Sequence, residues 1–393
     1  MVEKDFITIQ SSTNPHIILN QLYPKEIQLK ILEEAKAIIK ITQKIGNFDL
    51  ISEDTEYPIC LYPSPRLLEE KRDLNEFGNA VYTKRLALAE PHLKPIFFEI
   101  EVLERYLTDP RFEFKFDDYS GKISLKCDEN GNPIVREEDQ VYLKTFGLGY
   151  DDSENRLAVV YLGYLKNLTE EHQIYWKSKE IQGTCKILKE YYDNTILGEF
   201  TSSFSFFSAF IGEMNCLNQL SITIFNIPLF RCEFDRENRP KEFTFFFTPT
   251  SKNYYDFVLL LDKIISDNIN KNFFKNKISL FEMVELSEGI FERRPKGTIQ
   301  LFEEWILKSF HCDKTEELKD IFKSFRKIRY ERQNPAHKID ENKYDKVYIQ
   351  KQIELITEAY NSMRLLRNIF QQHPKAVDIK IPRWLEEGSI KAF

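Results

Sequence analysis

TEELKDIFKSFRKIRYERQNPAH, residues 315–337, carries Leu318, Ile321, Phe322, Phe325 and Ile328 at steps of three and four, the period of one buried helix face. Arg332 lies four residues after Ile328 and seven after Phe325, so it continues that stripe and points where the apolar side chains point. A guanidinium on such a face needs an anion to meet it, because burying an unpaired charge is costly. Pro335 pushes Asn334 out of helical conformation and ends the helix, leaving His337 just past the break. The result is Arg-x4-His at a helix end.

Outward from this stretch, the same period recurs in residues 253–275 (Phe257, Leu260, Leu261, Ile264, Ile265, Ile269), 297–310 (Leu301, Phe302, Trp305, Ile306, Phe310) and 346–372 (Ile349, Ile353, Ile356, Tyr360, Met363, Phe370). Four amphipathic helices in a row, joined by loops of modest length, predict an antiparallel bundle. Upstream, residues 110–248 read as strand-rich. FEFKF (112–116) and ISLKC (123–127) alternate with period two as a hairpin with Gly121 in its turn. VYLKTF (141–146) and LAVVYLGYL (157–165) continue the strands with GLGYDDSEN between them, and FSFFSAFIG, QLSITIFNIPLFRCEF and EFTFFFT read as further strands. Helices are expected over 24–46, from Pro91 to Asp109 and over 169–195. Residues 1–22 alternate weakly, and Pro58, Pro63 and Pro65 mark turns. The fold class is therefore α+β: a strand-rich region with helices over 1–250, an all-helical bundle over 251–376 and a tail over 377–393.

Composition bounds the function. The 393 residues are 42% hydrophobic and 30% charged, as in a globular protein with a sizeable core, and 32 Phe and 19 Tyr make that core aromatic. A net charge of -7 argues against coating nucleic acid by bulk charge, so any such contact is local. The six cysteines are scattered without a C-x-x-C pair, which points to no metal site and no disulfide framework. MVEKDFITIQ lacks the apolar core of a signal peptide and no apolar run approaches a membrane span, so a cytoplasmic protein without a membrane partner is expected.

Arg332-Gln333-Asn334-Pro335-Ala336-His337, between the third and fourth helices, resembles the signature of the HEPN superfamily, in which Arg-x(4 to 6)-His ends one helix of an all-helical bundle. The resemblance covers residues 253–373. It implies a metal-independent endoribonuclease, without a cofactor, of the kind that serves as a toxin or abortive-infection effector in bacterial antiviral defence. It further implies a homodimer in which two motifs meet, with Arg332 and His337 catalytic. The position after the arginine, commonly Asn, Asp or His in the family, is Gln333 here. Arg326, Lys327, Arg329 and Lys338 with Tyr330 make a basic, aromatic flank suited to an RNA backbone, and Asn334 and Gln333 stand where a phosphate would be held. Residues 1–250 would then sense a phage or host protein trigger. The contrasting reading is a catalytically silent HEPN-like module that dimerises or binds nucleic acid while the N-terminal region recognises a protein. The looser pairs Arg85/His92 and Arg367/His373, the Glu113-x-Lys115 triplet and His311-Cys312 lack that context and read as structural.

Overall fold

The computed structural model describes residues 6–10, 59–63, 73–88, 90–235, 237–287, 289–310, 315–333 and 341–393. In chain order these form β1 (Phe6–Gln10), β2 (Ile59–Pro63), α1 (Val81–Ala87), β3 (Pro95–Glu99), β4 (Phe112–Asp117), β5 (Ser120–Leu125), β6 (Tyr142–Asp151), β7 (Arg156–Tyr161) and α2 (Glu170–Ser178). There follow β8 (Cys185–Ile187), β9 (Ser203–Ser205), α3 (Phe206–Phe225), α4 (Ser251–Asp262), β10 (Phe281–Ser287), β11 (Ile290–Pro295), α5 (Thr298–Ser309), α6 (Thr315–Ile321), α7 (Lys323–Gln333), α8 (Val347–Gln371) and β12 (Ser389–Lys391). The fold is mixed α+β, with strands in the middle of the chain and helices toward its C-terminal end. The helix expected over 24–46 lies outside the described residues.

The main sheet runs β3-β7-β6-β5-β4, with β8 antiparallel on β6. Alternation in FEFKF turns Phe112, Phe114 and Phe116 inward, as period two requires. The hairpin turns at Asp118 (φ 55°) and Tyr119 rather than at Gly121, which lies within β5. A Cβ there would run into the Lys115 carbonyl and the Phe146 ring, so the glycine serves close packing. GLGYDDSEN is likewise not a connection. Gly147 and Gly149 lie inside β6, where the Tyr191 ring fills the place of a Gly147 Cβ, and the turn is Asp151–Asn155. Its closure is the Asp151 carboxylate accepting from the amides of Ser153 and Asn155, each 2.9 Å away.

Two helix expectations are corrected. Pro95 interrupts the 91–109 pattern, and the segment becomes strand β3 followed by single turns at Ile100–Leu103 and Glu104–Thr108. The helix of 169–195 stops at Ser178, and β8 takes up Cys185–Ile187. Conversely, FSFFSAFIG and QLSITIF are not strands. After the short β9 they form the 20-residue α3, capped by Ser205, whose Oγ accepts from the Ser208 amide, and closed by Asn226 in the left-handed region. Its buried Phe207, Phe210, Met214, Leu217, Leu220 and Ile224 recur at helical spacing, a period that the dense aromatic and β-branched content masks. EFTFFFT forms no strand either. The Gln352 side chain accepts from the Phe246 amide (3.1 Å) and donates to the Thr244 carbonyl (2.9 Å), taking up backbone groups that a ladder would otherwise hold.

The chain divides into two compact units, residues 1–98, 124–144 and 159–182, and residues 99–123, 145–158 and 183–393. In the first, Phe98 stands edge-on to Trp176 at 4.8 Å, and the Gln173 carbonyl accepts from the amides of Tyr82 and Thr83. In the second, α3 packs along α8 and α4 against α7. Arg367 of α8 and Glu213 of α3, both buried, meet in a two-pronged pair at 2.7 and 3.0 Å. Helices are found where the sequence placed them in the last third, with two differences. The third is broken at Phe322 into α6 and α7, and the antiparallel hairpin β10–β11 stands between the first and second.

Candidate functional site

Leu318, Ile321, Phe322, Phe325 and Ile328 are all buried, so the stripe on α6 and α7 faces the interior as its spacing requires. Arg332, one turn beyond Ile328, is carried to the end of the apolar face. There its guanidinium pairs with Asp262, the last residue of α4, while about a third of the arginine side chain stays exposed. Asp262 itself is fully buried and also accepts from the Ser266 hydroxyl at 2.6 Å. The hydrogen bond to this carboxylate raises the Arg332 pKa above its ordinary value, keeping the guanidinium a cation.

Asp262 is the residue that sequence reasoning missed. The signal was present: a lone carboxylate inside LLLDKIIS sits on a face that buries its neighbours, and such an acid calls for a cation. Directly after it, Lys263–Asp267 winds as a π-helical turn, the widened geometry that recurs at functional positions in helices.

The remaining candidates divide by surroundings. Arg329, on α7 three residues before Arg332, is half-buried and lines a cleft with Arg231, Ser266, Asp267, Lys271, Gly297 and Thr298. Arg326 is held by Glu303, and Lys327 by Glu358 at 2.8 Å. Tyr330 is 66% exposed, and Gln333, the last residue of α7, is exposed. Asn334, His337 and Lys338 lie outside the described residues, as do His311 and Cys312.

The looser pairs have structural partners. Arg85 is gripped by Glu90 and Glu180, and Arg367 by Glu213. His373 accepts from the Lys375 amide at 3.2 Å with its ring against Phe225. Lys115 of the Glu113-x-Lys115 triplet bonds Glu237 as well as Glu113. Among the described residues no cluster of His, Cys, Asp or Glu has the grouping of a metal site, Cys127, Cys185, Cys216 and Cys232 are unpaired, and no helix is long and apolar enough to cross a membrane. No protein-family model matches the chain, and no curated protein or solved structure matches it.

Proposed function

We propose that the chain is a metal-independent endoribonuclease of HEPN type, with residues 251–376 its helical bundle and Arg332 and His337 its catalytic pair. In this reading it acts as a homodimer in the cytoplasm, as an antiviral-defence or toxin effector. Residues 1–250 answer to a phage or host protein. The observation that carries the reading is Arg332: a guanidinium anchored from below by a buried carboxylate yet open to solvent, at the end of the helix whose sequence continues into the Arg-x4-His motif.

The chemistry follows from the residue types. The His337 imidazole, ordinarily with a pKa of about 6.5, takes the proton of an RNA 2'-hydroxyl. The 2'-oxygen then bonds to the adjacent phosphorus, and the bond from phosphorus to the 5'-oxygen breaks. The leaving oxygen takes a proton from the second motif of the dimer. Arg332 stabilises the charge on the pentacoordinate phosphorus by donating to its equatorial oxygens. The products are a 2',3'-cyclic phosphate and a free 5'-hydroxyl. RNA incubated with wild type, Arg332→Ala and His337→Ala in EDTA tests this: cutting by wild type and loss in both variants is expected. Equal cutting by all three, or abolition of wild-type cutting by EDTA, rejects it.

A second reading, a catalytically silent module that dimerises, is favoured by the β10–β11 hairpin. Phe281, Met283, Leu286, Ile290 and Phe291 are each at least 40% exposed there, an apolar concentration of the kind that interfaces use. Sedimentation of Met283→Glu/Phe291→Glu against wild type, beside the cutting assay, separates the two. Loss of the dimer without any wild-type cutting favours the silent module.

A further inference from the structure

The cleft that Arg329 lines has a volume of about 260 Å3, and four segments of the second unit close around it. Arg231 comes from the segment after α3, Asp267 and Lys271 from the stretch after α4, Gly297 and Thr298 from the start of α5, and Arg329 from α7. Arg231, Lys271 and Arg329 have no carboxylate partner among the described residues, in contrast to Arg326, Lys327, Arg332 and Arg367 around them. Three cations turned to one concavity repel one another, and Asp267, the one acid among the described residues that line it, leaves a positive excess in a chain of net charge -7.

The backbone that carries Arg231 is held on both sides. Its amide donates to the Asn268 carbonyl at 2.8 Å. The Asn268 side chain grips the next residue from both sides, accepting from the Cys232 amide (2.8 Å) and donating to the Cys232 carbonyl (2.9 Å). The rim is open as well. A Cβ on Gly297 would meet nothing within 4 Å, and the first turn of α5 has neither an acidic residue nor a side-chain cap to compete for an anion. Asp267 also stands close enough to Arg332 to bear on its charge, so the cleft adjoins the guanidinium already described.

We infer that this cleft is a phosphate-binding subsite, with Arg231, Lys271 and Arg329 holding a backbone phosphate of single-stranded RNA next to the one at Arg332. The assignment of RNA rests on the nuclease reading; the affinity of the cleft for a phosphate is measurable without it.

The test uses the full chain and a fluorescein-labelled 12-nucleotide 2'-O-methyl RNA, which cannot be cut, read by fluorescence anisotropy. Arg231→Gln/Arg329→Gln is expected to bind at least tenfold more weakly. Its slope of log affinity against log salt should be smaller by about 0.7 for each phosphate that the substitutions leave unneutralised. Arg383→Gln, whose parent side chain pairs with Glu387 and does not line the cleft, should bind as wild type. Unchanged affinity and slope in the double variant overturns the subsite. So does adenosine monophosphate or inorganic phosphate binding as tightly as the 12-mer, which would make the ligand a free phosphate compound. Should the double variant not fold, Arg231→Gln alone, at an exposed position, gives the same comparison with a single cation removed. Weakened binding in the variant without any cutting by wild type keeps the subsite and discards the nuclease. Cutting abolished in Arg332→Ala with unchanged binding in Arg231→Gln/Arg329→Gln does the reverse.

Discussion

Arg332 and Asp262 are unequal partners, and removing either has a different consequence. Asp262 is fully buried, so Arg332→Ala strands a carboxylate whose one remaining side-chain partner among the described residues is the Ser266 hydroxyl, whereas Asp262→Asn releases a guanidinium that is already partly in water. Arg332→Ala should therefore destabilise the fold by about 2–3 kcal/mol, the scale of an uncompensated buried charge. Adding Asp262→Asn should restore most of that loss in urea unfolding. If the double variant is stable and still fails to cut RNA, loss of activity is separated from loss of fold. The Arg332 side of this pair was legible from helical spacing; its partner, 70 residues earlier in the chain, was not, because no local pattern states which helices face one another.

Lys277 presents the opposite situation. Its amine is buried, with no hydrogen-bond partner among the described residues, against the rings of Phe273 (3.5 Å to the centroid), Phe225 and Trp305, and burial lowers its pKa to about 8. Facing aromatic rings offset part of that cost. Between about pH 8 and the unfolded value near 10.4 the unfolded chain holds the extra proton, so stability rises with pH across that window. Lys277→Met should be more stable than wild type at pH 7, and the difference should shrink by pH 10, as followed by unfolding midpoints.

At the scale of elements, the α3–α8 contact turns on Arg367 and Glu213. Removing one partner of so buried a pair costs about 3–5 kcal/mol, while two apolar replacements of similar volume cost little. Arg367→Met should accordingly lower the unfolding midpoint far more than Glu213→Leu/Arg367→Met. Helices α4, α5, α7 and α8 could be read from sequence because each shows a single clean apolar stripe. Helix α3 could not, since QLSITIF is apolar on nearly every side and its residue types favour strands, so only tertiary packing decides. The stretch Thr244–Phe247 illustrates the same limit, as its backbone is held by Gln352, over 100 positions away. Gln352→Leu should cost about 1–3 kcal/mol by leaving buried peptide groups unpaired, measurable as a shift in urea midpoint at constant slope.

Across the whole molecule, charge is distributed against its own total. A chain carrying -7 lines one cleft with Arg231, Lys271 and Arg329, which have no carboxylate partner among the described residues, so a local positive excess stands against the overall negative charge. The bulk balance was plain in the composition, whereas the cleft was not, because Arg231, Lys271, Thr298 and Arg329 come from four separate segments. Compact units assembled from interleaved stretches are likewise invisible to a reading that follows the chain in order. The widened turn after Asp262 has a dynamic counterpart. A winding with one residue too many is held less regularly than the helix that leads into it, so Lys263–Asp267, directly after the Asp262 that pairs with Arg332, should open more readily than α4 itself. Its amide protons should exchange with deuterium well ahead of those of Tyr254–Leu261, so the segment that carries the arginine's counter-ion ends in the more readily opened stretch of backbone.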